Sequence, residues 1–337
     1  MNIISIRTIR QLANYLLCEE VYLNSFLGGN IRLIDPDKDA EEQHYPEYTT
    51  LIAVYHVPKR NSPSEFRKLT AAYSGNLKSI LKILNGKINE LYKPPSCVQG
   101  YVKKRNTRTN ASFHLAKKTI LSVDIENFYD SITLEMVEAA FSSLGFSSFA
   151  SKQLSKVVTY GGYLPQGYNT SPTISNIVLK KIDEELVALA GAVTVYTRYS
   201  DDLYFSSNSI LPAIDDIRQI IIKNGFQLNE KKTQTMKRGG QQYVTGLTVF
   251  DSNLPRIPKK IKRNLRLEIY YYSKDALQHS LRSDSFTLLE YENNNEIRNV
   301  VHTMMELTEH RIEGWLNYIA SVEPKAAALL RKQYLSR

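Results

Sequence analysis

Two adjacent carboxylates, Asp201 and Asp202, interrupt an otherwise apolar stretch, VTVYTRY-SDD-LYFSS over residues 193–207. Segments 193–199 and 203–207 are rich in β-branched and aromatic residues on either side of a short polar turn, so the spacing predicts a β-hairpin. Like charges that close repel each other, and a divalent cation removes the cost. A plain polar turn is the alternative, since Asp is a common turn residue. On either reading the fold needs a sheet in which a hairpin presents a pair of carboxylates at its tip.

A third carboxylate fits the same picture. In LSVDIENFYDSI (121–132), Asp124 ends an apolar strand and can project from a sheet into a cleft. A lone Asp there is usually a cap or turn residue, and its weight comes from the hairpin. Transfer of a nucleotidyl group asks for little covalent chemistry from protein. It asks for two cations that activate a 3′ oxygen and steady the departing pyrophosphate. Hard oxygen ligands such as Asp124, Asp201 and Asp202 suit Mg²⁺. The segment GGYLPQGYNTSPTISN (161–176) adds Gln166, a donor and acceptor for a base or sugar, and Gly167, which permits close backbone approach. It runs into a helix that Ser171 and Pro172 open as N-cap and first-turn proline, a natural anion site. An ordinary helix entry is the alternative.

Asp124 on a strand, then LPQG…SP, then Tyr-x-Asp-Asp, in that order, resembles the palm of reverse transcriptases. NEKKT (229–233) resembles the lysine motif that follows the hairpin, and the resemblance implies that Lys232 assists the departing pyrophosphate; a surface lysine is the alternative. Residues 50–72 read as a hairpin with a basic tip and resemble the fingers hairpin, which implies that Lys59 or Arg60, with Arg67, grips the incoming triphosphate. Tyr129 falls where the family keeps the aromatic that excludes ribonucleotides; packing is its alternative role. Asn110-Ala111-Ser112-Phe113-His114 and Val244-Thr245-Gly246 resemble two signatures of the bacterial retron subfamily, as does EGWLNYIASVEP (313–324). Asn110, His114, Val244, Thr245 and Gly246 are thus expected to recognise RNA, with bracing of the fold as the alternative. Ser200 stands where Ala is more usual in the family.

The formal net charge of +9 favours phosphate-rich partners, and the 22 Tyr and 11 Phe can stack on bases, though most serve as core. Lys259, Lys260, Lys262, Arg263 and Arg266 crowd the start of a helix, an unfavourable place for cations that a phosphate backbone would offset. They are expected to hold nucleic acid, with a solvated face as the alternative. Cys18 and Cys97 are the only cysteines, no Cys/His cluster suggests zinc, and no signal peptide or long apolar run is visible. A bacterial cytoplasmic protein without a membrane partner is expected.

The expected fold is α+β, a right-hand polymerase with fingers at 1–120, an antiparallel-sheet palm at 121–250 and a helical thumb at 251–337. Helices are predicted over 8–26, 76–88, 133–144, from Ser171 through Leu186, and around Ile214–Ile221, with a polar interruption at 283–297 and an acidic loop of no assigned role at 35–48. The resemblance implies RNA-directed DNA synthesis from deoxynucleoside triphosphates with two Mg²⁺. It also implies a structured noncoding RNA as template and primer source, a branched RNA–DNA product (msDNA), and a role in anti-phage defence with a separate effector protein. A group II intron enzyme, another defence polymerase, or a non-catalytic RNA-binding scaffold are the alternatives. An intron enzyme carries further maturase or endonuclease segments, for which 337 residues leave little room.

Overall fold

The computed structural model describes residues 3–36, 45–59, 62–283 and 285–335. Most of the acidic loop 35–48, and Arg60 at the hairpin tip, lie outside the described residues. In chain order the first elements are α1 (Ile9–Leu16), α2 (Glu20–Leu27), β1 (Ile31–Ile34), β2 (Thr50–Lys59), β3 (Ser62–Ala72), α3 (Gly75–Leu91), α4 (Thr107–Ser112) and β4 (Thr119–Asp124). Then come α5 (Leu134–Ser143), α6 (Ser148–Val158), α7 (Ser171–Val178), α8 (Lys180–Ala190), β5 (Val195–Tyr199), β6 (Asp202–Ser207) and α9 (Ile214–Lys223). The chain closes with β7 (Gln234–Lys237), β8 (Tyr243–Val244), β9 (Leu247–Thr248), α10 (Lys259–Lys274), α11 (Ala276–Ser283), α12 (Leu288–Asn293), α13 (Asn295–Val322) and α14 (Pro324–Leu335).

These elements form two compact units, residues 1–106 with 121–235, and residues 107–120 with 236–337. Residues 107–120 and 236–250 were expected in the fingers and palm; both lie in the second unit.

The first unit has one continuous apolar core, drawing Leu12 and Leu16 from α1, Leu77 and Leu84 from α3, Val123 from β4, Phe141 from α5, Leu154 from α6, Ile182 from α8 and Phe205 from β6. In one sheet β2 pairs antiparallel with β3, as predicted, and β1 adds a parallel edge to β2. A second sheet has the order β5–β6–β4–β7. The single helix expected over 8–26 is two, because Leu17 takes a left-handed backbone (φ 55°) that ends α1, and Val21, expected in the core, is exposed. The helix expected from Ser171 is likewise divided at Leu179 into α7 and α8. Its cap position is Thr170, while the Ser171 hydroxyl donates instead to the Pro165 carbonyl at 2.7 Å; Pro172 does sit in the first turn.

In the second unit, β8 and β9 form a short antiparallel ladder, and the Thr245 hydroxyl donates to the carbonyl of Thr107 (3.0 Å), the first residue of α4. Backbone bonds from Arg238 to Lys118 and from Ala116 to Val249 stitch the same segments together. α13 buries Val301, Thr308, Ile312, Leu316 and Ile319, a stripe at helical spacing. The polar stretch 283–297 is largely helical: Thr287 and Glu290 make a capping box that starts α12, and the Asn294 side chain caps α13.

Candidate active site

The β5–β6 hairpin closes with Tyr199 opposite Asp202, leaving a two-residue turn of Ser200 and Asp201. Such turns match strand twist when the first residue has a positive φ, and Ser200 is at 61°. The backbone amide of Ile125 donates to the carbonyl of Asp201 (3.1 Å), so the end of β4, with Asp124, lies beside the turn.

The three carboxylates feel one another. Burial, then the like charges of Asp201 and Asp124, push the Asp202 carboxyl up to about 7. Asp124 is nearly buried, and burial raises its pKa from the ordinary carboxylate value while Lys232 opposes the rise. Lys232 Nζ donates to both Asp124 oxygens, at 3.1 and 2.9 Å, and the Asn229 amide donates to the Asp124 carbonyl at 2.8 Å. Burial would lower the pKa of Lys232, but its bond to Asp124 and the charges of Asp124, Asp201 and Asp202 together outweigh that and the value is raised. Among the described residues no three His, Cys, Asp or Glu side chains are already gathered as a metal cage. The donor set nevertheless fits hard divalent cations: three carboxylates sit at adjoining strand ends, two of them with raised pKa, and a lysine ammonium lies on Asp124 where positive charge is favoured.

Tyr129 stands next to the turn. It is half-buried among neighbours that include Tyr101, with which it shares a hydrogen bond, and Ser175; burial, then Tyr101, raises its pKa. The Ser200 hydroxyl donates to the Tyr101 hydroxyl (3.2 Å), so a chain of hydroxyls runs from the carboxylate turn to Tyr129. Tyr101 was absent from the sequence reading; nothing in its local pattern marks it.

Gln166 and Gly167 pack on the fingers-like hairpin. The Thr70 amide donates to the Gln166 carbonyl (3.1 Å), and a Cβ on Gly167, whose φ is +148°, would lie 2.7 Å from the Thr70 carbonyl. The glycine at 167 thus permits the close backbone approach expected of it, here against β3. Arg67 is exposed three residues along β3, opposite Val57, and Lys59 ends β2.

The second-unit residues divide. Asn110, His114 and Val244 have no exposed surface, so their side chains brace α4 and the β8–β9 ladder and do not face RNA, contrary to expectation. Thr245 is half-buried and Gly246 exposed. On α10, Lys259, Lys260, Arg263 and Arg266 are exposed, but Lys262 is engaged: its ammonium donates to both Glu323 oxygens at 2.9 Å, and the Ile257 amide donates to the same carboxylate at 2.6 Å. Lys262 is thus a structural tie and not a free phosphate contact.

The profile of the family described as reverse transcriptase (RNA-dependent DNA polymerase) matches residues 57–275, and the chain belongs to that family. It is 28% identical over 278 residues to the retron Ec86 reverse transcriptase of Escherichia coli, covering 81% of this chain and 77% of that one. It is also 28% identical over 227 residues to the retron Mx65 reverse transcriptase of Myxococcus xanthus, covering 60% and 49%. Within the family, then, this is a reverse transcriptase of the retron type. A solved telomerase from Candida albicans, in complex with a TWJ fragment of telomeric RNA, overlays with a TM-score of 0.46 at 12% identity, covering 84% of this chain and 59% of that chain. That likeness is too loose to carry an argument. No helix among the described residues is long and apolar enough to cross a membrane.

Proposed function

We propose that this chain copies a structured noncoding RNA into DNA, adding deoxynucleotides at a 3′ end by two-metal nucleotidyl transfer. The observation that carries the reading is that Asp124 lies beside the Asp201–Asp202 turn, where burial, then the like charges of Asp201 and Asp124, hold Asp202 near 7. Asp124, Asp201 and Asp202 would hold two Mg²⁺, which when bound supply the charge that activates the attacking oxygen and offsets the leaving one. Lys232, bonded to Asp124, would assist the departing pyrophosphate. Tyr129 would pack beneath the deoxyribose and meet a 2′-hydroxyl. Arg67 with Lys59 or Arg60 would hold the triphosphate, and the bond between Thr70 and Gln166 keeps that hairpin beside the LPQG loop.

The functional division is fingers, palm and thumb, with the exposed cations Lys259, Lys260, Arg263 and Arg266 on the nucleic-acid backbone and Thr245–Gly246 toward RNA. The same reading extends to priming from a 2′-hydroxyl of that RNA, a branched msDNA product, anti-phage defence, a separate effector and a cytoplasmic site of action, supported by the likeness to retron enzymes.

The test is primer extension on an annealed RNA template with and without Mg²⁺. Asp201→Asn and Asp202→Asn are each expected to abolish synthesis, since amides are poor Mg²⁺ ligands, while RNA binding stays near normal. Ordinary extension by either variant overturns the metal assignment and leaves an RNA-binding scaffold as the better reading.

A further inference from the structure

Beside the carboxylate turn lies a buried cation that the proposed chemistry does not use. Arg198, one residue before Tyr199 on β5, has no exposed surface and is the largest side chain so enclosed among the described residues. Its guanidinium makes four hydrogen bonds. Nε and Nη2 donate to the two oxygens of Asp183 on α8, at 2.9 and 2.7 Å; Nη1 donates to Oδ1 of Asn176 on α7, at 2.9 Å, and to the carbonyl of Ser200, at 3.1 Å. Asp183 takes a further bond from the Tyr196 hydroxyl (2.8 Å), and Asn176 Nδ2 donates to the Gly100 carbonyl (3.0 Å).

Burying an ion pair is costly, and apolar residues of similar volume often stabilise a core as well or better. What apolar residues cannot do is hold a carbonyl in place. Ser200 needs such a hold, because a left-handed serine is sparsely populated and persists only where its surroundings determine it. The other side of the turn is closed by backbone. A Cβ on Gly100 would lie 2.5 Å from the Ser200 amide nitrogen, and the amides of Gln99 and Gly100 both point at the Arg198 carbonyl, at 2.7 and 3.4 Å. The turn is gripped between a guanidinium on its carbonyl and a bare glycine against its amide.

We propose that Arg198, held by Asp183 and Asn176, is a positioning residue: it fixes the Ser200 carbonyl, and with it the direction in which Asp201 and Asp202 leave the turn. The proposal rests on the catalytic reading of those two carboxylates. If Asp202→Asn extends primers normally, that reading falls by itself, whatever Arg198 does. Arg198 touches neither substrate nor reacting atoms, so its loss should leave nucleotide and template binding alone and slow the chemical step.

The deciding variant replaces the network by apolar groups, Arg198→Met with Asp183→Leu and Tyr196→Phe, so that no buried charge is stranded. Steady-state extension is measured per folded molecule, together with hydrogen exchange of the peptide spanning 199–202. The expected result is a kcat lower by about 10²-fold, the scale of a roughly 1 Å misplacement of catalytic groups. The KM for deoxynucleotides and the affinity for primer–template should stay within about twofold, and exchange should quicken at the turn. Wild-type kcat in the folded triple variant overturns the proposal. Should that variant fail to fold, Gly100→Ala decides: it presses on the turn from the opposite side without touching the ion pair. The same fall in kcat at unchanged KM supports the clamp, and a folded Gly100→Ala enzyme of ordinary kcat overturns it.

Discussion

The hydroxyl chain from Ser200 through Tyr101 ties Tyr129, the proposed sugar gate, to the carboxylate turn. Ser200, where the family more often has Ala, is the residue that donates the first bond, so the departure from the common motif has a structural use here. Tyr129→Ala should raise ribonucleotide over deoxyribonucleotide incorporation by ten- to a hundredfold, on the order of what one contact commands in discrimination between substrates. Tyr101→Phe, which removes only the shared hydroxyl, should shift the ratio in the same direction by about threefold or less. Competition assays with paired nucleotides read both; an unchanged ratio in a folded, active Tyr129→Ala enzyme refutes the gate. At this scale the carboxylates were legible in the sequence because Asp201 and Asp202 are neighbours in the chain and Asp124 ends an apolar run. Arg198, Asp183, Asn176 and Gly100 were not, because they meet only across β5, α8, α7 and a loop, and no local pattern marks a buried arginine. Lys262 misled for the same reason: its partner Glu323 is 61 residues away.

Elements were readable where their signals are local. The β2–β3 and β5–β6 hairpins follow alternation and turn residues, and α5 and α9 follow apolar periodicity. The break between α1 and α2 was hidden because a leucine, not a glycine, takes the left-handed position. The Thr287–Glu290 box that starts α12 was present as T-x-x-E and passed over in a polar stretch. Within the second unit, α4 delivers His114 to a site where burial, then the charge of Lys117, lowers its pKa from the ordinary value to about 3. The sign follows from linkage. The unfolded histidine takes up a proton near pH 6.5 and the folded one does not, so this stability is present in full above that pH and lost on acidification towards about 3. The slope is about 1.4 kcal/mol per pH unit for the one proton. Between pH 7 and 5, before most carboxylates titrate, urea midpoints should fall faster for the wild type than for His114→Leu. Parallel losses would mean that the folded imidazole is protonated too.

At the scale of the whole molecule, the chain makes its second unit from two pieces, 107–120 and 236–337, while the core of the first unit draws on residues outside both. Ala111, His114 and Ile120 are buried, and the bonds from Thr245, Arg238 and Gln242 to Thr107, Lys118 and Lys117 tie the short piece to the long one. A protein ending at residue 235 should therefore keep a cooperative melt from the first core, yet be cut by trypsin at Arg108, Lys117 and Lys118 far faster than the full chain. Equal cleavage rates in the two would show that 107–120 is held by something other than 236–337.

The two-piece second unit also bears on how such genes recombine. A single crossover near residue 236 joins a foreign distal half to a resident strap at 107–120 that grew up with a different mate, so apolar side chains such as Ala111 and Ile120 face strangers. Viable hybrids between members of this family should be those that inherit both pieces from one parent, and breakpoints in natural mosaics should avoid the interval that separates them.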